Sequence, residues 1–355
     1  MPVVTFPHMG NLKIPSRAFF KKMGLEVVVP PEITRKTIEL GVKHSPEMAC
    51  LPLKINLGNF IEALEKGAEI IVMGGGNGPC RFGYYGQVQQ EILTDLGYDF
   101  QLLSLEGNLL YTFNRLRDLL GGFSLLKIAA AWRLAWAKIT VMDRITELVL
   151  ASRAREAKAG QVDEIYQEFL QELDEIMEPA LVRQLEAKYR RRIKDCLLAA
   201  GKGRQVKIGI VGEIYVVLEG AANLHTARRL GRLGAEVARE ISLTHWLKDF
   251  LNMSHSRTKI RQKGRPYINS FVGGHGEDSV GGTIHYSEQG FDGIVHLAPF
   301  TCMPEIVAQG ILEEVSTREN IPVMSLVFDE HSAEAGLQTR LEAFVDLLAR
   351  GKATG

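Results

Sequence analysis

Residues 290–305, GFDGIVHLAPFTCMPE, set an apolar run before a cysteine, with a proline two residues beyond it. The run from Ile294 to Phe300 has the composition of a strand buried on both faces of a parallel sheet. Pro304 suits the first turn of a helix, where its missing N–H costs nothing. Cys302 is therefore predicted at the carboxyl edge of a sheet, beside a helix amino terminus. Residues 44–54, HSPEMACLPLK, echo the pattern, with Cys50, Leu51 and Pro52 matching Cys302, Met303 and Pro304. Cys80 ends the glycine-rich stretch GGGNGPC after the strand-like EIIVM. All three cysteines are thus expected at strand-to-helix junctions, where open α/β sheets bind ligands.

Working outward, residues 1–106 alternate β-rich runs (VVTF, LEVVVP, AEIIVMGG, YDFQLLSLE) with helical patterns such as LGNFIEALEKG and VQQEILTDLG. That alternation predicts a parallel sheet with helices packed on it. Residues 107–204 turn helical. Ile165, Phe169, Leu173 and Ile176 recur at helical spacing, Pro179 interrupts, and Leu181, Leu185, Tyr189 and Ile193 resume the stripe. Residues 205–355 return to alternation, with VKIGIVGEIYVV, DGIVHLAPF and IPVMSLVFD between helices at ANLHTARRLGRLG, PEIVAQGILEEVS and TRLEAFVDLLAR. The expected architecture is α/β, with two Rossmann-like or flavodoxin-like parallel-sheet domains flanking a helical one.

The 355 residues exceed what one hydrophobic core usually supports, in keeping with several domains. Lys plus Arg and Asp plus Glu balance at 42 each, and the one dense basic cluster is RRR at 190–192, inside a helical stretch, so nucleic acid is not an expected partner. The amino terminus, MPVVTFPHMGNLKIP, lacks the basic and apolar regions of a secretory signal, which places the protein in the cytoplasm. The most apolar stretch, LLKIAAAWRLAWAKITVM, is interrupted by Lys127, Arg133 and Lys138 and reads as an amphipathic helix rather than a membrane span.

Four cysteines, at 50, 80, 196 and 302, are too few and too scattered for a disulfide framework. Cys196 continues the 181, 185, 189, 193 stripe and reads as a small buried apolar residue. Helix amino termini favour thiolates at the other three, and they favour an anionic sulfur-ligated cluster likewise. Three thiolates could hold zinc with an open fourth position, or a [4Fe–4S] cluster with one iron not bound by cysteine, and their spacing does not choose. Gly76 and Gly78 can let backbone approach a bulky cofactor, or form an ordinary βα loop. Lys54, just after Cys50, can balance cluster charge, or lie on the surface. Glu213 and Tyr215 follow the strand KIGIV and are pocket candidates, though Glu213 also suits an exposed strand end. His275, in VGGHGEDSVGG ahead of a helix that Asp278 or Ser279 can cap, is either a proton donor or a solvated loop residue.

Together, HSPEMACLPLKINLGNFIEALEKGA, GGGNGPCRFGYYGQ, GEIYVV, GFDGIVHLAPFTCMPE, IPVMSLVFDEH and TRLEAFVDLL resemble the 2-hydroxyacyl-CoA dehydratase superfamily. The nearest likeness is to its activase-related or dehydratase-like branch, which also includes the double-cubane cluster proteins. It covers nearly the whole chain, the helical middle least. The resemblance implies a [4Fe–4S] cluster held by Cys50, Cys80 and Cys302. Gly76, Gly78, Lys54 and Arg81 are the candidates for lining such a cofactor, and Glu213, Tyr215 and His275 are the pocket candidates for proton delivery. It also implies single electrons from a separate, actin-like, ATP-hydrolysing activase that carries its own iron–sulfur cluster. In the dehydratases such an electron makes a ketyl radical of a 2-hydroxyacyl-CoA, so the substrate here would be an acyl-CoA or another small molecule. Association as a homodimer or as a subunit of a heteromer is expected. The chain has no second cysteine set for a double-cubane cluster and no ATPase motif of its own. An electron-transfer or cluster-carrier protein, or a structural zinc protein, are the alternatives.

Overall fold

A computed structural model describes residues 2–75, 79–105, 117, 124–198, 205–250 and 256–353. The first sheet is built from β1 (Val3–Thr5), β2 (Glu26–Val27), β3 (Ile70–Gly74) and β4 (Gln101–Leu105), all parallel in the order β2-β1-β3-β4. Helices α1 (Lys13–Met23), α2 (Arg35–His44), α3 (Leu51–Glu65) and α4 (Tyr85–Asp95) connect and cover these strands. Buried apolar side chains from Val4, Ile70, Val72 and Leu103 form one core with Phe6, Phe20 and Met23. Ile71 and Met73 point the other way, into a core with Leu57, Phe60 and Leu93, as the two-residue period of a strand requires.

Three helices follow: α5 (Leu125–Ser152), α6 (Gln161–Glu175) and α7 (Pro179–Asp195). The apolar stripe read from the sequence is buried at Ile165, Phe169, Leu173, Leu185, Tyr189 and Ile193, and Pro179 opens α7. Cys196, just past α7, is buried too. Its thiol donates to the Ile193 carbonyl at 3.0 Å. Among the described residues no helix is long and apolar enough to cross a membrane.

The second sheet contains β5 (Lys207–Gly212), β6 (Glu236–Arg239), β7 (Gly293–Pro299) and β8 (Val323–Phe328), again all parallel, in the order β6-β5-β7-β8. Its helices are α8 (Ile214–Leu218), α9 (Thr226–Arg232), α10 (Leu243–Phe250), α11 (Ser256–Gly264), α12 (Gly276–Glu288), α13 (Met303–Arg318) and α14 (Glu334–Ala353). The α/β reading is borne out in both sheets. In each, the chain leaves the first strand to one side and returns on the other. That reversal puts a crevice between β1 and β3 in one sheet and between β5 and β7 in the other.

Two compact units result, Met1–Ile139 with Met177–Pro179, and Thr140–Ile176 with Ala180–Gly355. In the second, Asp163 on α6 gathers Arg153 at 2.9 Å, Arg228 at 2.6 Å and Arg232 at 3.5 Å. Burial alone would raise this carboxyl's pKa, but the Arg153 and Arg228 guanidinium groups outweigh it and hold the group below its usual value. Asp163→Asn is expected to cost about 1–3 kcal/mol in urea denaturation at pH 7, because it strands several guanidiniums around a neutral group. A folded pKa that is lowered gives stability above the unfolded value, lost as pH falls through the folded one. The deficit of the variant should therefore vanish in strong acid.

Candidate functional site

In the first unit, Cys50 is the N-cap residue of α3, with extended backbone at φ −70° and ψ 152° and Pro52 in the first turn. The element before it is α2, not a strand, so the predicted strand-to-helix junction is corrected here to a helix-to-helix one. The helix amino terminus is as expected. Cys80 caps a short 3-10 turn, Arg81–Tyr84, which leads into α4 beyond the carboxyl end of β3.

Cys50 and Cys80 are 30 residues apart in sequence, and side-chain bonds join their surroundings. The buried Cys50 thiol is hydrogen-bonded to the Tyr85 hydroxyl. Arg81 donates from its guanidinium to the Met48 carbonyl at 2.7 Å, and Gln89 from its amide to the Leu53 carbonyl at 3.4 Å. The start of α4 is thereby fastened to the start of α3. Lys54, one turn into α3, is buried rather than on the surface. Arg81 is exposed, while Gly76 and Gly78 lie outside the described residues.

In the second unit Cys302 stands as expected, after β7 and at the N-cap of α13, with Pro304 in the first turn. The turn between them is tight: the Cys302 N–H donates to the Pro299 carbonyl at 3.0 Å, and Thr301 takes a φ of 65°. Glu213 follows β5 directly. Gly212 makes this possible, since at its φ of 142° a Cβ would lie 2.0 Å from the Leu297 carbonyl oxygen. The residues after it, IYVV, form α8 instead of prolonging the strand. Glu213 caps that helix, its carboxylate oxygens each 3.0 Å from the N–H of Tyr215 and of Val216.

Burial pushes the Glu213 carboxyl up to about 7 against those two bonds, and the charge of Glu305 adds to the rise. Glu240, at the carboxyl end of β6, is likewise raised to about 7 by burial, with Asp278 and Glu147 contributing. The Tyr215 hydroxyl is buried, is pushed far up in pKa, and has no hydrogen-bond partner among the described residues. His275 is itself the N-cap of α12. Asp278, expected as a possible cap, lies inside the first turn and binds Arg261 at 3.0 Å and 3.1 Å. A Cβ on Gly276 would lie 2.4 Å from the Pro304 carbonyl, so His275 adjoins the turn that carries Cys302.

Sequence reasoning missed His296 and Glu305. Both are fully buried, and the His296 Nε2 lies 2.9 Å from Glu305 Oε2. Ser279 donates to the same carboxylate oxygen at 2.8 Å, while His296 Nδ1 meets the Ser325 hydroxyl at 3.1 Å. A signal was present: a histidine inside the apolar run IVHLAPF must find a buried polar partner.

All four cysteines are thiols rather than disulfides. Within neither unit do three or more described His, Cys, Asp or Glu side chains group so as to hold a metal ion. The first unit therefore offers two thiols in adjoining segments. The second offers one thiol beside carboxyl and imidazole groups.

Residues 11–73 match the family model described as a CoA enzyme activase uncharacterised domain. That stretch runs from before α1 to within β3, so it contains Cys50 and Lys54 and ends before Cys80. It points to the proteins related to CoA-enzyme activases without choosing a branch among them. No curated protein matches the chain.

Proposed function

We propose that this chain is an iron–sulfur protein of the 2-hydroxyacyl-CoA dehydratase type, holding one [4Fe–4S] cluster through Cys50, Cys80 and Cys302. In this reading it is a reductase or dehydratase component that accepts low-potential single electrons from a separate ATP-hydrolysing activase. The observation that carries the reading is the fastening of the Cys50 and Cys80 segments by Tyr85, Arg81 and Gln89. Thiols at helix amino termini suit the group chemically, because partial positive charge there favours an anionic sulfur-ligated centre. The match over residues 11–73 is in keeping with an activase-linked protein.

When bound, the cluster would supply one-electron chemistry at an iron that no cysteine occupies. The remaining tasks fall to the chain. Lys54 and Arg81 offset the cluster's negative charge. Glu213, its carboxyl raised to about 7 by burial, is about half protonated at neutral pH and can surrender that proton to a bound small molecule or acyl-CoA. His275 is a second proton donor, and the Tyr215 hydroxyl orients the substrate. The chain works as a homodimer or as a subunit of a heteromer.

Iron, acid-labile sulfide and zinc per chain, measured after anaerobic purification, test this. About four irons and four sulfides are expected, lost in Cys50→Ala, Cys80→Ala and Cys302→Ala and kept in Cys196→Ala. Zinc without sulfide, or no metal after reconstitution with ferrous iron and sulfide, would refute it.

A further inference from the structure

Glu305 occupies the third position of α13, where a glutamate ordinarily reaches back to the N-cap backbone N–H. Here that N–H belongs to Cys302 and is already given to the Pro299 carbonyl. The Glu305 carboxyl turns inward instead, to His296 on β7 and Ser279 on α12. Its other oxygen, Oε1, is buried with no hydrogen-bond partner among the described residues. A fully buried carboxylate with an unfilled acceptor weakens a fold, and two apolar residues of similar volume would serve packing better. A buried carboxyl placed beneath a cysteine-bearing turn points to a role other than stability.

We infer that Glu305 and His296 are positioning residues for Cys302, a buried clamp that locks the first turn of α13 onto β7 and sets the charge under the thiolate. This rests on the reading of Cys302 as a cluster ligand. The clamp ties three elements together. β7 supplies His296, α12 supplies Ser279, and α13 supplies Glu305, three residues after its N-cap Cys302. On the far side of His296, Ser325 of β8 fixes the ring through Nδ1. Glu213, at the N-cap of α8, feels the charge of Glu305. Groups that hold or neighbour a metal ligand in this way fix its orientation, and their charge tunes the redox potential of the centre.

The test uses the full-length chain, reconstituted anaerobically with ferrous iron and sulfide, in wild-type, Glu305→Gln, Glu305→Ala, His296→Asn and Ser279→Ala forms. Circular dichroism and a thermal melt first establish which variants fold. Glu305→Gln keeps the shape and removes the charge. It is expected to retain iron while moving the midpoint potential to a more positive value, since one negative charge near the cluster is lost. Glu305→Ala and His296→Asn are expected to lose iron several-fold faster to a chelator and to change the electron paramagnetic resonance line shape of the reduced cluster. Ser279→Ala, the mildest change, takes a donor from the carboxylate but leaves its charge, so it should shift the potential by less and to a more negative value. Folded variants with wild-type potential, line shape and iron retention would overturn the clamp while leaving the iron–sulfur reading intact. A wild-type chain that binds no cluster would overturn both.

Discussion

Gly58→Ala is expected to destabilise the protein by about 2 kcal/mol, although alanine is the better helix former. The two glycines Gly41 on α2 and Gly58 on α3 create a single close helix crossing. A Cβ at Gly41 would fall 1.8 Å from the Lys54 carbonyl oxygen, and one at Gly58 would fall 1.9 Å from that of Thr37. Both obstacles are backbone, so neither can rotate aside. The helices would have to separate along a crossing that also holds the Thr34–Thr37 capping box and the Thr37 hydroxyl bond to Glu62 at 2.7 Å. Overpacking of this kind costs about 1–3 kcal/mol or more, against at most about 1 kcal/mol gained from helix propensity. Gly310 on α13 provides the control, because nothing lies within 4 Å of its missing Cβ. Gly310→Ala should stabilise by about 0.5–1 kcal/mol. Urea denaturation midpoints of the two variants should therefore move in opposite directions. A Gly58→Ala protein as stable as Gly310→Ala would mean the crossing is not this close. Because α3 starts at Cys50, the same substitution should also disturb the thiol's bond to Tyr85.

The difference between these glycines shows what the sequence could and could not disclose. Both sit in helical patterns, and no local signal separates one that faces a carbonyl from one that faces solvent. The strands β1 to β5, β7 and β8 were legible because they lie in apolar, β-rich runs set against helical periods. β6 was not. Its four residues, EVAR, bury chiefly Val237 and present charge at both ends, so only pairing with β5 defines it. IYVV was grouped with the β-rich run VKIGIVGEIYVV because β-branched and aromatic residues favour strands, whereas Gly212 and the Glu213 cap turn the chain into α8. Pro52 and Pro304 revealed the helix starts that hold Cys50 and Cys302. The parallel between them stopped there, since the segment before Cys50 is decided by the α2–α3 crossing rather than by anything adjacent in sequence. His296 and Glu305 are nine residues apart across a turn, and their contact depends on how α13 folds back along β7.

Glu213→Gln is expected to remove a share of the pH dependence of stability between about pH 5 and 8. The folded carboxyl has its pKa raised from 4.5 to about 7. Below about pH 4.5 the group is protonated in both folded and unfolded chains. Between about 4.5 and 7 only the folded chain keeps the proton, so folding stability falls as pH rises, and the contribution is gone above the folded value. At about 1.4 kcal/mol per pKa unit the loss is at most about 3.5 kcal/mol, an upper bound because Glu213 retains some solvent contact. Glu240, also raised to about 7, adds a slope of the same sign that the substitution leaves in place. Glutamine keeps one capping acceptor of two, so the variant should be weaker than wild type by about 1 kcal/mol at pH 5. By pH 8 it should equal or exceed wild type, as it has no charge to bury. Urea midpoints measured from pH 5 to 8.5 on both proteins would reveal this crossing of the two curves. Parallel curves would mean that Glu213 is ionised throughout, held so by the Tyr215 and Val216 N–H groups, and that it cannot be the proton source at neutral pH. A crossing would locate a proton beside the β5–β7 crevice under the conditions in which a proton-delivering group must hold one.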